Sequence, residues 1–106
     1  MEYEKMCANL LQKSGWATQT TPTNGDQGVD LIAKKDNLVW AFRCKLYASQ
    51  VGNFAVQEVA AGKLHYKADR AAVIAPNSFT SSARALAQSN NVVLLHHDDL
   101  LKLKTR

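Results

Sequence analysis

A carboxylate and a lysine held on one face of a β-sheet can begin the hydrolysis of a phosphodiester. The carboxylate holds a divalent cation against the scissile oxygen; the lysine steers or deprotonates the attacking water and offsets developing charge. Asp30 and Lys45 supply such a pair. Between them two β-rich runs, VDLIAKK (29–35) and LVWAFRCKL (38–46), are separated by Asp36-Asn37, a tight-hairpin signal. A two-residue loop there pairs Lys35 with Leu38. Asp30 then faces Arg43 across the ladder, and Lys45 lies two residues farther on the same face. The opposite face carries Leu38, Trp40, Phe42 and Cys44, a core-facing stripe. A one-residue slip would reverse both faces. The plainer reading is a cross-strand Asp30–Arg43 ion pair with Lys45 as a solvated neighbour, worth under ~1 kcal/mol. Pattern alone favours it.

The elements that must position these residues are legible in the spacing. Residues 2–14 carry Tyr3, Met6, Cys7, Leu10 and Leu11 at helical intervals, with Gly15 as a stop. Residues 16–21 turn strand-like, and TPTNGDQG (21–28) reads as a loop. Residues 52–67 predict a helix with Phe54, Val56, Val59, Ala60 and Leu64 on its buried side. RAAVIA (70–75) and NVVLLH (91–96) are short buried strands. Thr80 or Ser78 caps a helix running to about Asn90, and Asp98 or Asp99 caps a last short helix. The order α-β-β-β-α-β-α-β-α predicts an α/β fold, a mixed β-sheet flanked by helices on both faces.

Composition narrows the function. With 106 residues the chain predicts one domain spanning 1–106, able to bury about 65% of its unfolded surface without disulfides or structural metal. Its 46% hydrophobic content argues against disorder, and no apolar run approaches the ~18 residues of a membrane helix. The start MEYEK does not resemble a signal peptide, and two cysteines are too few for a disulfide scaffold, which favours a reducing cytoplasm. A net charge of +4 suits an anionic partner without requiring one.

Other chemistries find little support. His65, His96 and His97 have no zinc-ligand spacing with Cys7 or Cys44, and the His96-His97 pair reads as structural or solvent-facing. Cys7 and Cys44 fall on apolar stripes and read as small hydrophobes. Ser78, Ser81 and Ser82 lie in no GxSxG elbow, and the glycines form no phosphate-binding loop. Lys34, Lys35, Arg43, Lys45, Lys63, Lys67, Arg70 and Arg84 could track a phosphate backbone or serve as ordinary solubilising charge. Binding of that kind would weaken steeply with salt. Glu4 sits at the edge of the first helix's apolar stripe, while Gln57 and Glu58 are equally compatible with a plain solvent face.

The run GDQGVDLIAKK…WAFRCKLY resembles the catalytic core of Mrr-type restriction endonucleases, a branch of the PD-(D/E)xK nucleases. The likeness covers residues 3–103, continuing through VGNFAVQEVAAG, RAAVIAPNSFTSSARALA and NVVLLHHDDLLKL. It implies a restriction-endonuclease-like fold and a DNA endonuclease using Mg²⁺, with Mn²⁺ as substitute. By position, Asp30 matches the family's metal-binding aspartate, Lys45 its catalytic lysine, and Glu4 a helical glutamate that supports the metal. Asp26 matches a motif acid that orients the loop, and Gln57 a polar position near the site. The family usually has Gln or Glu two residues before the lysine; here Arg43 stands there, which cannot ligate a cation and repels one. Arg43 facing Asp30 occupies part of the metal's place, or contacts a DNA phosphate. The resemblance thus leaves an active endonuclease beside a weakened or inactive DNA-binding or assembly module. A smaller nuclease resembling Holliday-junction resolvases, which act as homodimers, is a third reading. Restriction also implies a target-recognition domain or subunit, supplied by a partner or by a longer chain.

Overall fold

The computed structural model describes residues 2–21 and 28–105. Helix α1 (Glu2–Lys13) leads into β1 (Ala17–Thr20), β2 (Leu31–Lys35) and β3 (Leu38–Cys44); then come α2 (Asn53–His65), β4 (Arg70–Ile74), α3 (Ser81–Ser89), β5 (Val92–Leu95) and a 3₁₀ helix (His97–Lys102). The strands form one sheet in sequence order. The first three are antiparallel; β3, β4 and β5 are parallel. Asp36 and Asn37 take φ values of 52° and 68°, the left-handed pair that a two-residue hairpin requires. The resulting register puts Lys35 opposite Leu38 and Leu31 opposite Phe42, as the hairpin spacing predicts.

Two crossovers stepping the same way along a sheet place their helices on one face when both are right-handed. Accordingly α2 and α3 share a core with Ile32, Ala41, Ala71 and Val73. The other face buries Leu31, Ala33, Trp40, Phe42 and Cys44 against Tyr3, Cys7 and Leu11 of α1 and Leu100 of the 3₁₀ helix. Strand β3 therefore feeds both cores by alternation, and Trp40, Phe42 and Cys44 form the expected stripe. Among the described residues no helix is long and apolar enough to cross a membrane.

Three expectations need correction. Helix α2 buries Ala55, Val56, Val59 and Gly62, while Phe54 and Leu64 are 71% and 80% exposed. Small residues let the helix lie close to the sheet; Phe54 and Leu64 sit about 140° round the helix from that stripe. The last helix is 3₁₀ and is capped by His96, whose side chain accepts from the Asp98 amide; Asp99 returns a bond to the His96 amide. Met6 lies exposed at the rim of the α1 stripe rather than within it. Thr80 caps α3 as the pattern indicates, accepting from the Ala83 amide at 3.0 Å.

Burial and hydrogen bonding shape a polar cluster under the sheet. Burial raises the Tyr3 hydroxyl's pKa above its ordinary value, and a hydrogen bond to Cys7, then burial, raises that of the Cys44 thiol. The same hydrogen bond lowers the Cys7 thiol, so the two cysteine shifts oppose each other, and Tyr3 carries the pH dependence: its stabilising effect is complete below the unfolded value of about 10. Stability is expected to fall as pH rises above about 10, seen as a declining urea midpoint between about pH 9.5 and 11.

Gly28 is the backbone contact on which the site rests. Its φ is +80°, and a Cβ there would lie 2.3 Å from the Glu58 carbonyl oxygen on α2. Gly15 shares the left-handed backbone (φ +94°), but its nearest neighbour is the flexible end of Lys35, at 3.3 Å. Gly28→Ala should therefore cost about 3 kcal/mol and Gly15→Ala about 1 kcal/mol, measured by urea unfolding.

Candidate functional site

Asp30 stands one residue before β2, yet its amide still donates to the Phe42 carbonyl at 2.8 Å. That bond is one residue out of step with the Leu31–Phe42 register, a bulge at the strand end, and the Asp30 side chain reaches Arg43 from it. One Asp30 oxygen, Oδ2, accepts the Cys44 amide at 2.8 Å; the other, Oδ1, accepts from Arg43 Nη1 at 3.1 Å. Alternation points Arg43 and Lys45 to the α2 side, where Glu58 meets both. Arg43 grips Glu58 with two parallel bonds, Nε to Oε1 at 3.2 Å and Nη2 to Oε2 at 3.1 Å. Lys45 Nζ lies 3.3 Å from Glu58 Oε1 and 5.6 Å from the Tyr47 ring centre.

These four side chains are only 12–18% exposed. Lys45 is therefore a partner within the cluster, not the solvated neighbour of a simple ion pair. Two carboxylates and two cations balance formally to zero, which is how so much charge stays sheltered at a strand end. The carboxylates of Asp30 and Glu58 approach one guanidinium from different elements. Oxygen donors converging in this way suit a hard divalent cation such as Mg²⁺ or Mn²⁺. Arg43 holds the position between them, paired with both at 3.1 Å, so a cation there would have to displace the guanidinium.

The other expected site residues are more dispersed. Glu4 is half-buried in the first turn of α1, on the opposite face of the sheet, and its charge and that of Asp30 both act on the Cys44 thiol. Gln57 is exposed beside Glu58. Lys35 donates to the Ser14 carbonyl at 2.8 Å and lies 5.8 Å from the Trp16 ring centre, so it closes the end of α1. Lys34 is exposed on the same face as Asp30, four residues and roughly 13 Å along the strand. Asp26 lies outside the described residues. Glu58 is the group that sequence reasoning passed over, and its signal was its place on the flank of the Ala55, Val56 and Val59 stripe.

The loop after Lys45 is tied down near this cluster. Val51 bridges to Phe79, exchanging backbone bonds with Ser78 and Thr80 at 3.0 Å each, and the Asn77 side chain donates to the Tyr47 carbonyl. That anchorage sets where α2 begins, and so where Glu58 arrives.

Comparison with known proteins agrees with this architecture. The family model described as restriction endonuclease, of the Mrr catalytic type, matches residues 1–104. No curated protein sequence matches the chain. A solved structure titled as protein of unknown function AF1548 superposes with a TM-score of 0.73 at 20% identity, over 89% of this chain and 57% of its own. The DNA modification-dependent restriction endonuclease AspBHI gives 0.68 at 17% identity, covering 95% of this chain and 30% of its own. MspJI restriction endonuclease, solved in complex with a 27-mer oligonucleotide, gives 0.55 at 18%, covering 92% and 25%. At these identities the likeness is one of fold, and this chain spans less than two thirds of each of those proteins.

Charge balance in the cluster has a measurable consequence. Glu58→Gln leaves two sheltered cations without their shared partner and should destabilise by about 2 kcal/mol. Once that is done, Arg43→Gln should cost less than it does alone, with a coupling of about 1–2 kcal/mol in a double-mutant cycle of urea unfolding.

Proposed function

The chain belongs to the Mrr-type restriction endonucleases, and from that premise we propose that residues 1–106 form a DNA endonuclease domain that hydrolyses phosphodiester bonds with a divalent metal. The observation that supports it is the meeting of Asp30, Glu58 and Lys45 at one end of β3. Asp30 and Glu58 would hold Mg²⁺, or Mn²⁺ in its place, with Glu4 supporting from the α1 side. The ion supplies Lewis-acid stabilisation of the phosphate oxygens and lowers the pKa of water. In this family the strand position two before the lysine usually carries a Gln or Glu; here Glu58 brings a carboxylate from α2 instead.

The protein's own residues do the positioning. The Cys44 amide orients the Asp30 carboxylate. Glu58 and the Tyr47 ring hold the Lys45 ammonium, which offsets charge developing on the phosphate and orients the attacking water. Arg43, once displaced from the carboxylates, is shaped to take a phosphate through two parallel bonds. Lys34 extends the basic surface along the DNA, while Gln57 flanks the site from solvent. DNA is the partner this assigns, with target selection left to a separate domain or subunit and double-strand cutting to a homodimer. Two buried free thiols suit a reducing cytoplasm.

The contacts of Arg43 favour one second reading, a nuclease-fold module that binds DNA or assembles without cutting. Its guanidinium pairs with both carboxylates at about the distance of ordinary salt bridges, 3.1 Å, and a resting pair that never opens would exclude the cation.

Plasmid nicking in Mg²⁺ and then Mn²⁺ separates the two. The endonuclease reading expects nicking that EDTA abolishes and that Lys45→Ala and Glu58→Gln each reduce by about 10²-fold or more. Arg43→Gln should then lower the Mn²⁺ concentration needed for half-maximal rate. DNA retardation without nicking at any metal concentration would establish the binding module.

A further inference from the structure

Away from the Asp30–Glu58 cluster, the end of β5 assembles a different set of donors. His96, His97 and Asp98 each present one ligand atom within 4.8 Å of the others, the group among the described residues with three such donors. His96 Nδ1 lies 3.5 Å from Asp98 Oδ2, and His97 Nε2 lies 3.7 Å from Asp98 Oδ1. The two rings are 4.0 Å apart at their centres and tilted by 37°. A tetrahedral ion with bonds near 2.1 Å separates its donors by about 3.4 Å. Each imidazole nitrogen already lies near that distance from one Asp98 oxygen, His96 from Oδ2 and His97 from Oδ1, and all three donors fall within 4.8 Å.

We propose that His96, His97 and Asp98 form a site for a borderline divalent metal ion of the Zn²⁺, Co²⁺ or Ni²⁺ class. Two imidazoles with one carboxylate select such ions over Mg²⁺, which prefers oxygen donors alone. The surroundings favour the arrangement. Tyr3 Oη lies 3.2 Å from His97 Nδ1, so the second ring nitrogen of His97 is held by a hydroxyl from α1 and Nε2 is left for the ion. The backbone is fixed by the reciprocal cap, in which the Asp99 carboxylate accepts the His96 amide at 2.9 Å. The Asp98 carboxylate is 83% exposed, which gives an ion an open route in and leaves room for water to complete the shell. His96 Nδ1 at present accepts the Asp98 amide at 3.0 Å. An ion takes over that lone pair, and the exchange keeps the affinity modest. Spacing against Cys7 and Cys44 could not show this site, because its third ligand is a carboxylate. Occupied, it ties the end of β5 to the start of the 3₁₀ helix and, through Tyr3, to α1.

Titration of the whole chain with Co²⁺ and with Zn²⁺, followed by Co²⁺ visible absorption and by calorimetry, tests the proposal. One ion per chain should bind in the micromolar range and raise the melting temperature. Asp98→Asn and His97→Gln should each weaken binding by tenfold or more, and Tyr3→Phe by about tenfold. Asp30→Asn and Glu58→Gln should leave Co²⁺ binding unchanged, and a tenfold excess of Mg²⁺ should not displace the ion. Absence of binding up to 1 mM metal would overturn the site, as would binding that survives both Asp98→Asn and His97→Gln. Because Asp98 is exposed and its carboxylate takes no part in the helix cap, Asp98→Asn keeps the fold, and circular dichroism of that variant confirms it.

Discussion

A strand with neighbours on both sides and helices over both faces has no solvent side, so each of its side chains must enter one core or the other. Strand β3 lives under that constraint from Leu38 to Cys44. Trp40, Phe42 and Cys44 fill the α1 core, and Ala41 fills the α2 core. The next position on the α2 side is Arg43, a permanent cation where an apolar residue would otherwise pack. It is tolerated because two carboxylates reach it, from the residue before β2 and from α2, and because the strand is about to leave the sheet. Removing either acid leaves a sheltered charge, which is the costly state.

The same geometry links fold to site. Glu58 reaches Arg43 and Lys45 because α2 lies close to β3, and α2 lies close because its inner stripe is Ala55, Val56, Val59 and Gly62. The backbone at Gly28 comes close to α2 in turn because its missing Cβ leaves room for the Glu58 carbonyl. A helix seated even an ångström farther out would separate Glu58 from its two cations. Packing of small residues thus sets the electrostatics at the strand end.

Arg43 gives this centre its distinctive balance. A site for a divalent cation ordinarily carries net negative charge; this one is formally neutral while its guanidinium stays in place. On the proposed reading, cation entry would be coupled to movement of one side chain, and the same side chain is chemically suited to phosphate. In the endonuclease we propose, substrate and metal would cooperate through Arg43, each favouring the position that admits the other. The His96–His97–Asp98 group, built on softer donors two strands away, would follow a different preference.

Local sequence carried a great deal of this protein. Asp36-Asn37 dictated the hairpin and its register, because only a two-residue left-handed turn joins the runs without splaying them. Carried one step past Leu31, that register pointed to the Asp30–Arg43 pairing with Lys45 on the same face, and the bulge at Asp30 kept the side-chain contact. Thr80 as a cap and the alternating core of β3 were equally local. Tertiary structure decided what α2 contributes. Counting Phe54 and Leu64 as buried turns the helix so that Gln57 flanks the sheet and Glu58 points away. With Ala55, Val56, Val59 and Gly62 as the true stripe, the helix is rotated the other way; Glu58 comes to the flank and Gln57 to solvent. Hydrophobicity favoured the larger side chains, but closeness of helix to sheet favoured the smaller ones. Which of two such stripes is buried depends on the surface it must fit, and that surface is made by residues far away in the chain.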